Sequence, residues 1–196
     1  MSGVATGGGR REDKRRATGE RIYAEAMRLF KEHGFENVKI DMIAKAARVS
    51  VPTFYAHFSS KETMLMALPT REELAAVFAA VPEDLSPADR ARGAIDLWLQ
   101  QIDAHARDVV LERWRIIAST PSLRLKTAEF ERATATLALK ILSDQDCHRT
   151  APAIEVAVNA LMSAYTQVLL RWADSGGSRD LQEVAAEVFA ELRELL

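Results

Sequence analysis

Thr53, Tyr55, His57 and Lys61 place a hydroxyl, a phenol, an imidazole and an ammonium within nine residues, with Ser50 three residues ahead. Donors of this kind hydrogen-bond phosphate oxygens and base edges. Their segment, Ala44 to Met64, reads AKAARVSVPTFYAHFSSKETM. A helix end of small residues (Ala44, Ala46, Ala47) leads into a tight turn closed by Val49. Ser50 stands as an N-cap with Pro52 in the first turn, and Phe54 and Phe58, four apart, mark the inward side. Ser59 with Glu62 three residues on has the spacing of a capping box. Two short helices across a tight turn, the second showing Val51, Thr53, Tyr55 and His57 outward, form a helix-turn-helix able to offer a reading helix to a DNA groove.

Helices must position these groups, and the pattern predicts little else. Thr18 to His33 is amphipathic, with Ile22, Ala26, Leu29 and Phe30 on one stripe. Gly34 stands where a C-terminal cap belongs, and Phe35 follows onto the core. Ile40, Ile43, Ala44 and Ala47 make a second short stripe; Asn37 is the candidate cap for that helix. Before them, Met1 to Arg16 is Gly-rich and basic, without apolar periodicity. It reads either as a solvated tail or as an arm that orders along the adjacent minor groove.

Beyond Pro69 longer helices follow: Arg71 to Val81, ended by Pro82; Ser86-Pro87 to about Arg107; Val109 to Ala118; Leu123 to Leu142; Ala153 to Ala173, apolar on nearly every side; and Leu181 to Leu196. No strand-like alternation, long repeat or heptad run is found. The expectation is an all-α chain: a basic flexible arm (1–16), a three-helix helix-turn-helix domain (17–68) and a larger helical domain (69–196).

Composition narrows the class. The chain has 196 residues, 48% hydrophobic and 28% charged, as globular proteins do. Its longest apolar run, Leu74 to Val81, is eight residues, far short of the roughly 20 of a membrane span. The net charge of −2 hides a split: residues 1–68 carry 12 Lys+Arg against 8 Asp+Glu, the remainder 14 against 20. Only the basic first third is suited to phosphate. Cys147 is the single cysteine, so no internal disulfide can form and a reduced, cytoplasmic setting is expected. There is no phosphate loop, nucleophile elbow or paired metal-ligand spacing, and Cys147 and His148, being adjacent residues that rarely face each other, are not read as a catalytic pair. No catalytic residue, metal or cofactor is expected.

In order and spacing, Ile22, Ala26, Leu29, Phe30, Gly34, Phe35, Ile43, Ala44, Ala47, Val49, Ser50, Thr53, Tyr55, His57, Phe58, Ser60, Lys61 and Glu62 match a known pattern without a gap. The chain here resembles the TetR family of bacterial transcriptional repressors, over about residues 17–65. Arg48 stands where that family has the turn glycine, which implies a non-glycine residue at positive φ at a cost of about 1 kcal/mol. Val38 and Lys39 replace the pair that opens the second helix.

The resemblance implies a homodimer that binds double-stranded DNA, with Tyr55, His57 and Lys61 on the phosphate backbone. The candidate interface comprises Lys39, Arg48, Ser50, Val51, Pro52, Thr53, Tyr55, His57 and Lys61; a surface role for His57 and a solvated one for Lys61 are the alternatives. It also implies dimerisation through the last two helices and a pocket among the middle ones. Trp98, Ile102, His105, Trp114, Phe130, Asn159, Met162, Tyr165 and Thr166 are the candidate lining, each equally explicable as core or surface. Asn159, Ser163 and Thr166 form a polar line able to face either a cavity or a dimer partner. An apolar lining with few charges suits a hydrophobic or aromatic small molecule. The expected function is ligand-responsive repression at a palindromic operator. The alternatives are an effector-independent architectural DNA binder and, more distantly, a helical enzyme.

Overall fold

The computed structural model describes residues 7–102, 106–145 and 152–195. Among them are ten α-helices and no strand, in two units that divide between Leu65 and Met66.

In the first unit, α1 (Gly7–His33) buries Ile22, Ala26, Leu29 and Phe30 on one side. It starts well before Thr18, so residues 7–16 are helical where a tail or an unstructured arm was expected. Once the buried turns nucleate the helix, Arg, Lys and Glu extend it backward at little cost. Arg16 lies between Asp13 (3.5 Å) and Glu20 (3.8 Å) on one side of this extension. Gly34 ends α1 as expected: its φ is 77°, its N–H donates to the Phe30 carbonyl at 2.9 Å, and the ring of Phe35 lies 5.0 Å from that of Phe30. Asn37 serves the same end, donating to the His33 carbonyl at 2.9 Å, and does not open the next helix. That helix, α2 (Ile40–Ala46), starts after an extended Lys39 with no side-chain cap; Asp41 accepts from the Met42 N–H instead. Val38 is fully buried, which is where an apolar residue at this position is useful.

Arg48 has a φ of 52°, the positive value expected of the turn, and the Val49 N–H reaches the Ala44 carbonyl at 2.9 Å. The short α3 (Val51–Tyr55) is capped by Ser50, and α4 (Glu62–Leu65) follows. Ser60, not Ser59, opens that turn. Its hydroxyl accepts from the Thr63 N–H while the Thr63 hydroxyl accepts from the Ser60 N–H, both at 3.2 Å. A threonine at the third position thus closes the reciprocal cap that Glu62 was expected to close.

The second unit holds α5 (Arg71–Ala79), α6 (Pro87–Gln100), α7 (Arg107–Ser119), α8 (Pro121–Gln145), α9 (Pro152–Asp174) and α10 (Leu181–Leu195). Thr70 and Glu73 form a full capping box on α5, and Ser86 caps α6 through the Asp89 N–H. Helix α6 stops at Gln100, short of the expected Arg107. Its last turn tightens, with the Ile102 N–H on the Leu99 carbonyl, and Arg107 opens α7.

Helix α9 is the core of this unit, packed against α6, α7, α8 and α10. By length and composition alone it could cross a membrane; here Val158, Val168, Leu169 and Trp172 are enclosed by protein. It is not apolar on nearly every side. Val156, Asn159, Ser163, Gln167 and Arg171 form an exposed, mostly polar line. The α9–α10 turn requires glycine at Gly177: φ is 74°, and a Cβ there would lie 2.3 Å from Leu111 Cδ2. Arg107 donates to the Gly177 carbonyl at 2.7 Å, and Arg115 to that of Gly176. Asp180 caps α10 through the Gln182 and Glu183 N–H groups.

Candidate functional sites

The geometry around α3 follows from one buried ring. Phe54 is 0% exposed and anchors the helix inward, with Phe58 5.9 Å away and Tyr55 edge-on at 5.6 Å. Val51 (37% exposed) and Tyr55 (53%) therefore point outward, beside exposed Ser50 and Pro52 and partly exposed Thr53. The Thr53 hydroxyl lies 2.7 Å from that of Ser50, so these two form one hydroxyl pair at the helix start. Arg48 and Lys39 are exposed on the preceding turn and at the start of α2. Arg21 of α1 donates to the Ala47 carbonyl at 3.0 Å, which steadies the turn from behind.

His57 is half-buried beside Gly19 of α1, where an added Cβ would lie 3.2 Å from its Nδ1. One and two turns before Gly19 on that side of α1 stand Arg15 and Arg11, with Lys14 and Arg10 next to them. All four are exposed, and none is ion-paired among the described residues. The end of α3 thus adjoins a row of free cations that sequence pattern alone placed in a tail.

Lys61 departs from expectation. Its Nζ donates to the Phe35 carbonyl (2.8 Å) and the Val38 carbonyl (3.2 Å), and lies 4.1 Å from the centre of the Phe35 ring. The ammonium is turned into the fold, fastening the α1–α2 connection.

The candidate ligand residues of the second unit separate into groups. Trp98 and Tyr165 lie parallel, their rings 6.3 Å apart at 23°. Trp114 and Met162 are buried, and Trp114 has an indole N–H with no acceptor. Ile102 and Phe130 are partly exposed; His105 lies outside the described residues. The polar line of α9 does not share one environment. Asn159 is exposed and donates to the Glu155 carbonyl, whereas Thr166 is buried and, with Ser163, hydrogen-bonds Glu131 of α8. Burial raises the Glu131 carboxyl above its ordinary value, and the two hydroxyls pull it part of the way back. Burial likewise raises the Tyr165 phenol, opposed by the charge of Arg113 on α7. Arg113 and Glu131 were missed in the sequence because charged residues on long helices read as solvated faces.

A capped reading helix, an outward hydroxyl pair and phenol, and a basic flank make the first unit a helix-turn-helix DNA-binding module. Residues 22–68 match the profile of bacterial regulatory proteins of the tetR family. A stretch of 60 residues is 38% identical to the HTH-type transcriptional regulator TcmR of Streptomyces glaucescens. That match covers 31% of this chain and 26% of TcmR, so it spans about a quarter of that relative. The fold as a whole is similar to NalD, the secondary repressor of the MexAB-OprM multidrug efflux pump in Pseudomonas aeruginosa (21% identity, TM-score 0.57, 91% of this chain and 96% of NalD covered). It is also similar to Thermus thermophilus FadR, a TetR-family transcriptional repressor solved with lauroyl-CoA (27% identity, TM-score 0.51, 90% and 93% covered). Residues 22–68 thus carry the TetR-family pattern, and the chain spans about a quarter of the curated relative it matches there.

Proposed function

We propose that this regulator is a repressor that binds an inverted-repeat operator as a homodimer and leaves it when a small molecule occupies the second unit. The observation that carries the reading is the α3 face: Val51 and Tyr55 stand outward because Phe54 is wholly buried beneath them. Thr53 and Val51 reach base edges, Val51 through apolar contact such as a thymine methyl. Tyr55, His57, Ser50, Arg48 and Lys39 meet phosphates, and Pro52 shapes the first turn. Arg10, Arg11, Lys14 and Arg15 carry the phosphate contact onto the flanking DNA.

A reading helix of five residues offers few base contacts, so two copies about 34 Å apart are needed for a specific site. The exposed line of α9 and the neighbouring face of α10 are the dimer surface, which gives Asn159 and Gln167 an interfacial role. The effector acts by preferring one spacing of the two reading helices, since only a ligand of different affinity for two states shifts them. FadR, a TetR-family repressor solved in complex with lauroyl-CoA, supports the reading that a small molecule acts on this fold.

Selection of bound duplexes from a random pool at fixed salt tests the reading. An inverted repeat should emerge; a recovered site without dyad symmetry would overturn the dimer, and no enrichment at all would overturn DNA recognition.

A further inference from the structure

Gly19 lies inside α1, where a glycine is less favourable than alanine because it gives up more backbone freedom. Its φ is not positive, so no turn or left-handed conformation calls for it. Gly93, inside α6, is explained by apolar packing, since a Cβ there would meet Val81 at 3.0 Å. At Gly19 the added Cβ would meet one side chain within 4 Å, the imidazole of His57, with Nδ1 at 3.2 Å and Cε1 at 3.9 Å. The space that this glycine leaves is therefore taken by a ring from the turn after α3.

His57 is held at that place by its backbone. Its N–H and that of Phe58 both donate to the Phe54 carbonyl at 2.9 Å, and Phe54 is wholly buried. The Phe58 ring lies 6.4 Å from the imidazole and 5.9 Å from the Phe54 ring. Yet no hydrogen bond or ion pair among the described residues engages the ring nitrogens, and neither is closed off from solvent. The imidazole thus stands where a side chain of residue 19 would stand, one turn from Arg15 and two from Arg11. Both arginines are exposed and unpaired among the described residues. Neighbouring Arg16 and Lys61 are already engaged, the first with Glu20 at 3.8 Å, the second with the Phe35 and Val38 carbonyls.

Resting on the DNA-binding reading above, we propose that Gly19 is a positioning residue. The seat it leaves brings the His57 imidazole into line with Arg15 and Arg11, so that one stretch of phosphate backbone is held from α1 and from the end of α3 together. Phosphate contacts fix the register of a reading helix. Donors held in line beforehand lose less freedom on binding than donors that must be gathered. A methyl group at residue 19 pushes the imidazole out of that line.

A duplex recovered by selection, held at fixed salt, tests this. Gly19→Ala should melt no lower than wild type, because alanine suits a helix better. It should nevertheless bind about tenfold more weakly, the worth of about one hydrogen bond to a charged group. His57→Ala should weaken binding to a similar extent. In that background the added methyl meets no ring, so the double variant should bind as His57→Ala does. Losses that multiply in the double variant would overturn the proposal. So would a lowered melt in Gly19→Ala that His57→Ala does not relieve, which would make Gly19 a packing residue. The imidazole proton signals of His57, identified by their absence in His57→Gln, report the seat without DNA. They should move in Gly19→Ala, and signals that stay in place would refute the seat. A wild type that binds no duplex sinks the regulator reading and this role with it; a Gly19→Ala that binds as wild type does sinks the role alone.

Discussion

Lys61 holds Phe35 at two points, its Nζ donating to the Phe35 carbonyl at 2.8 Å and resting 4.1 Å from the centre of the same residue's ring. With the further bond to Val38, one ammonium ties α4 to the connection between α1 and α2.

Lys61→Met keeps the aliphatic stem and removes all three interactions. Bonds to a charged group contribute about 1.5–3 kcal/mol, so the variant should unfold at lower urea concentration. The salt dependence of DNA binding should not change. A flattened salt slope with unaltered stability would return Lys61 to the phosphate backbone.

Arg48→Gly separates fold from function at one residue. The left-handed φ of 52° costs an arginine about 1 kcal/mol, and glycine recovers much of it after its own entropic loss. Stability should rise by about 0.5 kcal/mol while affinity for the operator falls with the lost cation. A gain in both would show that Arg48 makes no phosphate contact.

The basic side of α1 predicts a count. Each phosphate contact contributes about 0.9 to the slope of log affinity against log salt, so Arg11→Gln with Arg15→Gln should lower it by about two. Arg16, already held between Asp13 and Glu20, should leave the slope alone when changed to Gln. Identical slopes for all three proteins would confine the interface to α3 and its turn.

Much of the reading unit was legible in the chain because its signals are local. Ser50 as N-cap, Gly34 at positive φ, Arg48 in the turn and Phe54 inward each depend on a few neighbours, and each is found. What was misread depends on partners distant in sequence or on choices between equals. Lys61 finds carbonyls 26 and 23 residues away. Ser59 and Ser60 offer equivalent hydroxyls, and the position of Thr63 selects the second. Asn37 could serve either adjoining helix, and geometry assigned it to the end of α1. The roles of Arg113 and Glu131 required knowing which helices face them.

Gly177→Ala should be among the most damaging changes to the second unit. It adds strain at a φ of 74° and a Cβ 2.3 Å from Leu111 Cδ2, together on the order of 2–4 kcal/mol. Pairing it with Leu111→Ala should recover only the steric share, as thermal melts of the two variants would show. A full recovery would mean that the backbone conformation is indifferent to a side chain.

Glu131→Gln carries a pH signature. The folded-state value is raised by burial, so this carboxyl adds stability below its ordinary value of 4.5 and loses it as pH rises through the folded value. Glutamine keeps partners for Ser163 and Thr166 without the charge. The variant should melt higher than wild type near pH 7, and its advantage should fade towards pH 4. A constant difference across that range would assign the effect to packing.

The α9–α10 turn has the composition that proteases favour, small and exposed, with a trypsin-susceptible bond after Arg179. Yet Arg107 and Arg115 hold the carbonyls of Gly177 and Gly176, and the Arg179 guanidinium is bound to Glu187. A protease must draw its substrate into an extended strand, and this turn can yield one only by releasing α7. Limited digestion will therefore spare this turn for as long as the second unit stays folded, and a cut there marks its unfolding.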